Sequence, residues 1–281
     1  MRLLECSQPR KSINTVLGQG KMIDQRLAFL VLSCDKYADM WRPFLQQFRR
    51  FFPAEGRKIY FGSNLVRCNE PGVIPVLSRD DKDWSTSFMA ILSQIEEPKI
   101  FVILEDLFLA SPVKPEVFQA ALSCLFEKKA NHIKYWASPM PDEPTESPFV
   151  GIYKKGAPFR ATVCGFWDRE YLMKLLIPGE NPWNFEILGS YRTSYSDGFY
   201  GLMQPLCAYR NMIEKGCWIP KSVEWAREKG IPLELDKRPL LTGWDRIISE
   251  AKMVYFDLML LIPWRWRVAL MNKLRRAFIS Y

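Results

Sequence analysis

The sequence predicts an α/β fold of three layers, with a mixed, mostly parallel β-sheet between two sets of helices and a helical extension at the C-terminal end. Three observations predict it. Short apolar runs alternate with amphipathic stretches from residue 27 to residue 137, the pattern of a layered α/β domain. The run at 100–104 in IFVILEDLFLASP carries no polar residue, as a strand covered on both faces requires. That run delivers two adjacent carboxylates, Glu105 and Asp106, at its carboxyl end, where open α/β sheets bind ligands. Neighbouring strand residues point to opposite faces, so one acid faces a ligand while the other braces the loop unless the chain turns there.

The elements follow in order. LAFLVLS (27–33) reads as a first buried strand, and Met40, Trp41, Phe44, Leu45, Phe48 and Phe52 recur at helical spacing after it. Pro43 is tolerated if it lies near the start of that helix. KIYFGSN (58–64) reads as a second strand, and VIPVLS (73–78) as a short third. STSFMAILSQIEE reads as a helix capped by Ser85 or Ser87. PEVFQAALSCLFEKKA (115–130) predicts another helix and HIKYWA (132–137) another strand. SPMPDEPTESP (138–148) crowds proline, serine and acids without periodicity and reads as a loop. ATVCGFW then looks strand-like, DREYLMKLLIP helical, and PGENPWNFEILGSYRTSYSDGFYG turn-rich. These signals divide the chain into a weakly ordered leader (1–25), a main α/β domain (26–235) and a basic, aromatic, helical extension (236–281). Within the domain, 26–137 forms one half and 149–235 the other.

Size and composition bound the function. At 281 residues and 48% hydrophobic, the chain can bury a substantial core. A net charge of +8 suggests an anionic partner: nucleic acid, a phosphorylated small molecule or a membrane surface. Against nucleic acid, the basic residues are dispersed among 31 acids and no recognition motif is visible. Seven cysteines without CxxC spacing point to reduced thiols and a cytoplasmic setting. There is one histidine, His132, so a histidine-centred relay has no second candidate, and its place before a strand suits a structural role. Neither GxxxxGK[ST] nor GxGxxG occurs, which removes the P-loop and dinucleotide fingerprints. No segment has the ~20 consecutive apolar residues of a spanning helix.

The order SCDKYADMW, a strand ending in GSN, DWSTSFMAIL, LEDLFLASPV and LLIPGENPWNFEILGS resembles a family of bacterial glycosyltransferases from capsule and O-antigen polysaccharide clusters. The resemblance spans roughly residues 27–230. It implies a glycosyltransferase A type fold, in which a nucleotide-diphospho-sugar is bound at an acidic motif that commonly engages a divalent metal, Mn²⁺ or Mg²⁺. This chain departs from the common DxD spelling, having Glu105 and Asp106 adjacent. A sugar diphosphate must still lose a doubly charged leaving group, which a hard cation on carboxylates, or Lys and Arg, can neutralise. Asp106 is the first candidate for metal or donor contact and Glu105 the second.

Ser33, Cys34, Asp35 and Tyr37, at the end of the first strand, fall where this fold holds nucleotide base and ribose; Asp35 is equally placed to cap the helix that follows. Asn64, Trp84 and Ser85 are donor-side candidates by position, with Trp84 alternatively a lid over the core. An inverting single displacement needs a base for the acceptor hydroxyl, and Glu186 is the candidate, with Asp197 and Glu180 in reserve. Trp183 and Phe185 flank it and could stack on an acceptor sugar, and Arg192 could bind phosphate. The alternative places both rings in the core and pairs Glu186 with a basic neighbour.

Beyond Asp257 every formal side-chain charge is basic, and Trp264, Trp266, Phe278 and Tyr281 stand among those cations. That composition suits reversible attachment to an anionic membrane on the inner face of the cell, worth ~1 kcal/mol per cation, or packing on the domain. The reading is transfer of a sugar to a lipid-linked or growing surface saccharide. A nucleic-acid-binding protein and an inactive scaffold of the same fold are the alternatives.

Overall fold

The computed structural model describes residues 25–52, 56–136 and 139–244, and isolated positions 247, 248, 251, 254 and 266. The predicted leader, apart from residue 25, and nearly all of the basic C-terminal stretch lie outside the described residues.

A nine-stranded mixed sheet organises the chain. Its strands are β1 (Leu27–Leu32), β2 (Ile59–Ser63), β3 (Ile74–Leu77), β4 (Lys99–Leu104), β6 (His132–Lys134), β7 (Glu143–Pro144), β8 (Val150–Ile152), β9 (Gly165–Asp168) and β10 (Phe199–Leu202). They lie in the order β3-β2-β1-β4-β9-β6-β10-β8-β7. β1 pairs in parallel with β2 and β4, β2 with β3, and β6 with β10. β9 runs antiparallel between β4 and β6, and β8 antiparallel between β10 and β7, so the other seven strands share one direction. The expected α/β architecture with a mixed, mostly parallel sheet is therefore present.

Strand periodicity separates two cores. In β1, Leu27, Phe29 and Val31 face one side, and Ala28, Leu30 and Leu32 the other; β4 splits Phe101 and Ile103 from Ile100 and Val102 in the same way. The first side is covered by α1 (Ala38–Phe51), α3 (Pro115–Glu127) and α6 (Pro220–Glu228). The second is covered by α2 (Trp84–Leu92), α4 (Arg169–Leu175) and α5 (Pro182–Arg192). The first core is dominated by rings: Phe29 packs on Phe48 and Phe52, and Phe52 on Phe101 and Phe118. This is why so aromatic a sequence needs both faces of β1 and β4 buried.

Beside the main sheet, β5 (Leu107–Leu109) pairs with β11 (Tyr209–Asn211), and β12 (Ile213–Glu214) with β13 (Cys217–Trp218). Residues 239–241 run along β13, where the Trp218 N–H donates to the Pro239 carbonyl (2.9 Å) and the Leu241 N–H to the Trp218 carbonyl (2.8 Å).

Several local expectations change. α2 is capped by Asp83, whose carboxylate accepts from the Thr86 N–H at 2.8 Å; Ser85 and Ser87 lie inside the helix, both buried. Pro43 sits in the second turn of α1 rather than at its start. The stretch read as turn-rich contains α5, with Asn181 as cap and Pro182 in the first turn. His132 is structural: its ring stacks on Trp167 with centroids 3.9 Å apart, and its nitrogens meet the Phe166 carbonyl and the Thr162 hydroxyl. Burial lowers its pKa to about 3, so it is neutral at physiological pH. At the start of β9, Gly165 adopts φ +146°, and a Cβ there would meet the Ile133 carbonyl at 2.6 Å and His132 at 2.7 Å.

Candidate active site

The carboxyl ends of β1, β2 and β4 lie side by side, and the loops leaving them form the site. Glu105 is buried and Asp106 half-buried at the turn from β4 into β5. Burial, and then the neighbouring Asp106 charge, push the Glu105 carboxyl well above the usual range; the Ser33 hydroxyl and Arg238 pull it the other way. Burial raises Asp106 to about 6, and its buried Oδ1 has no hydrogen-bond partner. Its backbone is fixed, since the Met212 N–H donates to the Asp106 carbonyl at 2.9 Å. Two adjacent carboxyls held above their ordinary pKa are a place where a cation or a hydrogen-bond donor would stabilise the charged form.

Five predicted donor contacts share this neighbourhood. Glu105 and Asp106 both raise the Tyr37 phenol, after burial, and Glu105 raises the Cys34 thiol, which burial brings to about 11. Ser33 links Glu105 to α1, because its oxygen accepts the Trp41 indole N–H at 2.7 Å. Tyr37 lies beneath the Arg238 guanidinium, 4.4 Å from its ring centre. Arg238 is bound by both Asp39 carboxylate oxygens, at 2.6 and 2.7 Å, and donates to the Lys36 carbonyl. This buried pair pins residues 234–241 against the start of α1, with an open cleft of ≈ 530 Å³ beside it.

Other predicted contacts act as latches between loops. Asp35 does not cap the following helix; its carboxylate accepts from the backbone N–H groups of Asn64 (3.0 Å), Leu65 (3.0 Å) and Val66 (3.2 Å), binding the end of β1 to the loop after β2. Asn64 is buried, with its amide on Asp80 and Asp81. Ser85 is fully buried and ties α2 to the turn before α5 through the Ile177 carbonyl at 2.6 Å. Trp84 is half-buried against Phe88 and Phe185.

Glu186 is presented from α5. Its Oε1 accepts the Val163 N–H at 3.0 Å, so its immediate partner is backbone and not the basic side chain considered above. Burial raises its pKa, and Lys134 works against that rise. Lys134, a buried cation at the end of β6 whose Nζ donates to the Phe159 carbonyl at 3.4 Å, escaped the sequence reading; its only signal was one lysine in an otherwise apolar and aromatic strand. Cys164 joins the two acidic regions: after burial, Glu186 raises its thiol most, followed by Asp106.

Two acceptor-side expectations fail on geometry. Phe185 is fully buried, in contact with Trp84 at 5.6 Å and Trp167 at 6.2 Å, and leaves no ring face for a sugar. Arg192 is held by both Glu180 oxygens, at 2.6 and 2.9 Å, and by the Leu175 carbonyl, so it closes α5 onto the preceding turn rather than awaiting a phosphate. That pairing also withdraws Glu180 from the reserve bases. Trp183, 73% exposed one turn before Glu186, remains open. Asp197 is exposed and pairs with Lys155 at 3.2 Å.

Asp106 and Glu105 are the residues that could hold a divalent cation. Among the described residues no three acid, histidine or cysteine side chains cluster as a metal cage. The unpartnered Asp106 oxygen fits the other arrangement, in which one or two carboxylates hold Mg²⁺ or Mn²⁺ together with substrate phosphates and water.

No family model and no curated protein matches the sequence. Among solved structures, the chain is similar to Staphylococcus aureus TarS 1–349, at 10% identity and a TM-score of 0.40, covering 62% of this chain. It thus spans only 59% of that TarS chain's length. The TarS 1–349 complex with UDP-GlcNAc aligns at 9% identity and a TM-score of 0.37, covering 62% of this chain and 57% of that one. The mannosyltransferase PcManGT of Pyrobaculum calidifontis, in complex with GDP-Man and Mn²⁺, aligns at 11% identity and a TM-score of 0.45, covering 89% of this chain and 80% of that one.

Proposed function

We propose that the chain is a glycosyltransferase that moves a sugar from a nucleotide-sugar donor to a saccharide acceptor. The observation that supports this best is that Glu186 on α5 accepts the Val163 N–H just before β9, the strand paired with β4, whose carboxyl end carries Glu105 and Asp106. Both acidic regions have carboxyls held above the ordinary range by burial, as acid–base sites require.

In this reading the donor lies across the ends of β1 and β4. Ser33, Cys34 and Tyr37 line its nucleoside side, while Asp35, Asn64 and Ser85 hold the loops that shape it. Asp106, with Glu105, faces the diphosphate and would hold a divalent cation there. Such a cation, when bound, neutralises charge on the leaving diphosphate. Glu186 takes the proton from the acceptor hydroxyl as that oxygen bonds to the anomeric carbon. The bond from that carbon to the diphosphate breaks, and its electron pair leaves with the nucleoside diphosphate. The Val163 N–H fixes the orientation of Glu186, and that hydrogen bond and Lys134 favour its charged form against the burial that raises its pKa.

A lipid-linked or growing surface polysaccharide is the acceptor this reading favours, at the cytoplasmic face of the membrane. No helix among the described residues is long and apolar enough to cross a membrane. The test is a thermal-shift panel of nucleoside diphosphates and their sugars, with and without Mn²⁺, because a ligand bound only by the native state raises its melting point. Stabilisation by one nucleotide family, reduced in Asp106→Asn, is expected. Oligonucleotide binding with a steep salt dependence, and no response to nucleotide sugars, would replace this reading with nucleic-acid binding.

A further inference from the structure

One aromatic pair near the site is left unused by that reading. Trp136, two residues past the end of β6, and Tyr209, the first residue of β11, stack with ring centroids 4.5 Å apart and planes 8° from parallel. Both are partly exposed. Beneath them lies Tyr135, its ring 5.2 Å from Trp136 and 6.2 Å from Tyr209, with a buried hydroxyl that has no hydrogen-bond partner.

Each ring is fixed by a different strand, so the pair is a preformed surface. Trp136 follows β6, which is locked between β9 and β10. Tyr209 pairs with Leu109 while Asn211 pairs with Leu107, the residue directly after Asp106. Two residues of strand separate Tyr209 from that point, roughly 7 Å along the chain. Across the sheet, β6 is two strands from β4, roughly 10 Å. Because β6 and β4 run in the same direction, the rings and the acid pair occupy the same edge.

The strand order also sets the side. The order β1-β4-β9-β6 puts the acids between the β1 end, with Ser33, Cys34 and Tyr37, and the aromatic pair. The nucleoside and this surface therefore lie on opposite sides of Asp106. Because the two rings stack on each other, the pair offers a ligand one outer aromatic face backed by the second ring, and such an uncharged face matches the apolar C–H face of a pyranose, whose hydroxyls project sideways to solvent.

We propose that the outer face of the stacked Trp136–Tyr209 pair, one ring backed by the other, is the floor of a neutral pyranose subsite that holds the acceptor saccharide. The inference deepens the glycosyl-transfer reading and rests on it for the word acceptor. It also supplies the stacking surface that buried Phe185 does not.

The test measures binding without turnover. A panel of neutral gluco-, galacto-, manno- and N-acetylglucosamine oligosaccharides is titrated against the full chain, followed by tryptophan fluorescence and saturation-transfer NMR. At least one oligosaccharide binds, and its affinity falls roughly tenfold or more in both Trp136→Ala and Tyr209→Ala, as expected for loss of an aromatic face. Trp136→Phe, which keeps a ring, retains most of the affinity and guards against misfolding of the alanine variant. The nucleotide thermal shifts are unchanged in all three.

Absence of binding by every oligosaccharide overturns the proposal, as does equal binding by wild type and Trp136→Ala. Selective loss of nucleotide binding in the variants overturns it too, by making the pair a base-stacking surface. Failure of the glycosyl-transfer reading looks different: no nucleotide sugar stabilises the wild type, while oligosaccharide binding still depends on Trp136.

Discussion

Replacing Asp106 with asparagine should make the protein more stable near neutral pH while removing its function. Burial raises the Asp106 carboxyl from 3.8 to about 6, so at pH 7.5 the folded chain holds a charge that it disfavours. The sign follows from proton linkage. Between pH 3.8 and 6 the native state binds more protons than the unfolded state, so stability falls as pH rises through that window and the full penalty is present above it. A displacement of about two units corresponds to ~3 kcal/mol. Asparagine keeps the shape and loses the charge, and it also relieves the neighbouring Glu105. It leaves a buried polar atom unpartnered, as Oδ1 already is, at a cost of ~1 kcal/mol. A net gain of ~2 kcal/mol raises the melting temperature by roughly 4–8 °C in a chain of this size.

The assay is a pair of thermal melts, at pH 7.5 and pH 4. The variant should melt higher at pH 7.5, and the gap should close at pH 4, where wild-type Asp106 is protonated. His132 destabilises both proteins as pH falls below 6.5, and so cancels in the difference. An equal or lower melting point at pH 7.5, or a gap that persists unchanged at pH 4, would refute the argument that Asp106 is held against its own charge.

Further predictions follow from named contacts. Glu186→Gln should keep nucleotide-sugar binding and lose transfer by roughly 100-fold or more, the usual share of a general base; steady-state kinetics and donor titration separate the two, and lost donor affinity would make Glu186 a binding residue. Arg238→Ala strands the Asp39 carboxylate and loosens residues 234–238 from the start of α1, and should cost about 3 kcal/mol by chemical denaturation; an unchanged midpoint would show that the pair holds nothing together. Phe185→Ala should cost about 3–5 kcal/mol by the same measurement, whereas Trp183→Ala, at an exposed position, should cost little.

The strands that build the site were legible because burial on both faces leaves no room for polar residues. The runs at 27–33, 58–64 and 100–104 became β1, β2 and β4 nearly to the residue. Glu105 and Asp106 were legible for the same reason, since acids stand out at the end of a run without any. α5 was missed because its rings and polar groups follow no simple stripe, although Asn181 and Pro182 marked its start. Phe185 and Arg192 illustrate a second limit. A sequence shows that a ring or a guanidinium is present, but not that Trp84 and Trp167 enclose the first or that Glu180 holds the second. Partners distant in the chain stayed hidden for the same reason: Arg238 meets Asp39 across 199 residues, and Tyr209 reaches Trp136 only because β11 pairs with β5.

The most direct test of the central claim is release of nucleoside diphosphate from a panel of UDP- and GDP-sugars in the presence of Mn²⁺, comparing wild type with Asp106→Asn and Glu186→Gln. Wild type should release diphosphate from at least one donor, and neither variant should do so at more than a small fraction of that rate. Release at the wild-type rate by both variants, or none from any donor by the wild type, would contradict the assignment of these carboxylates to glycosyl transfer.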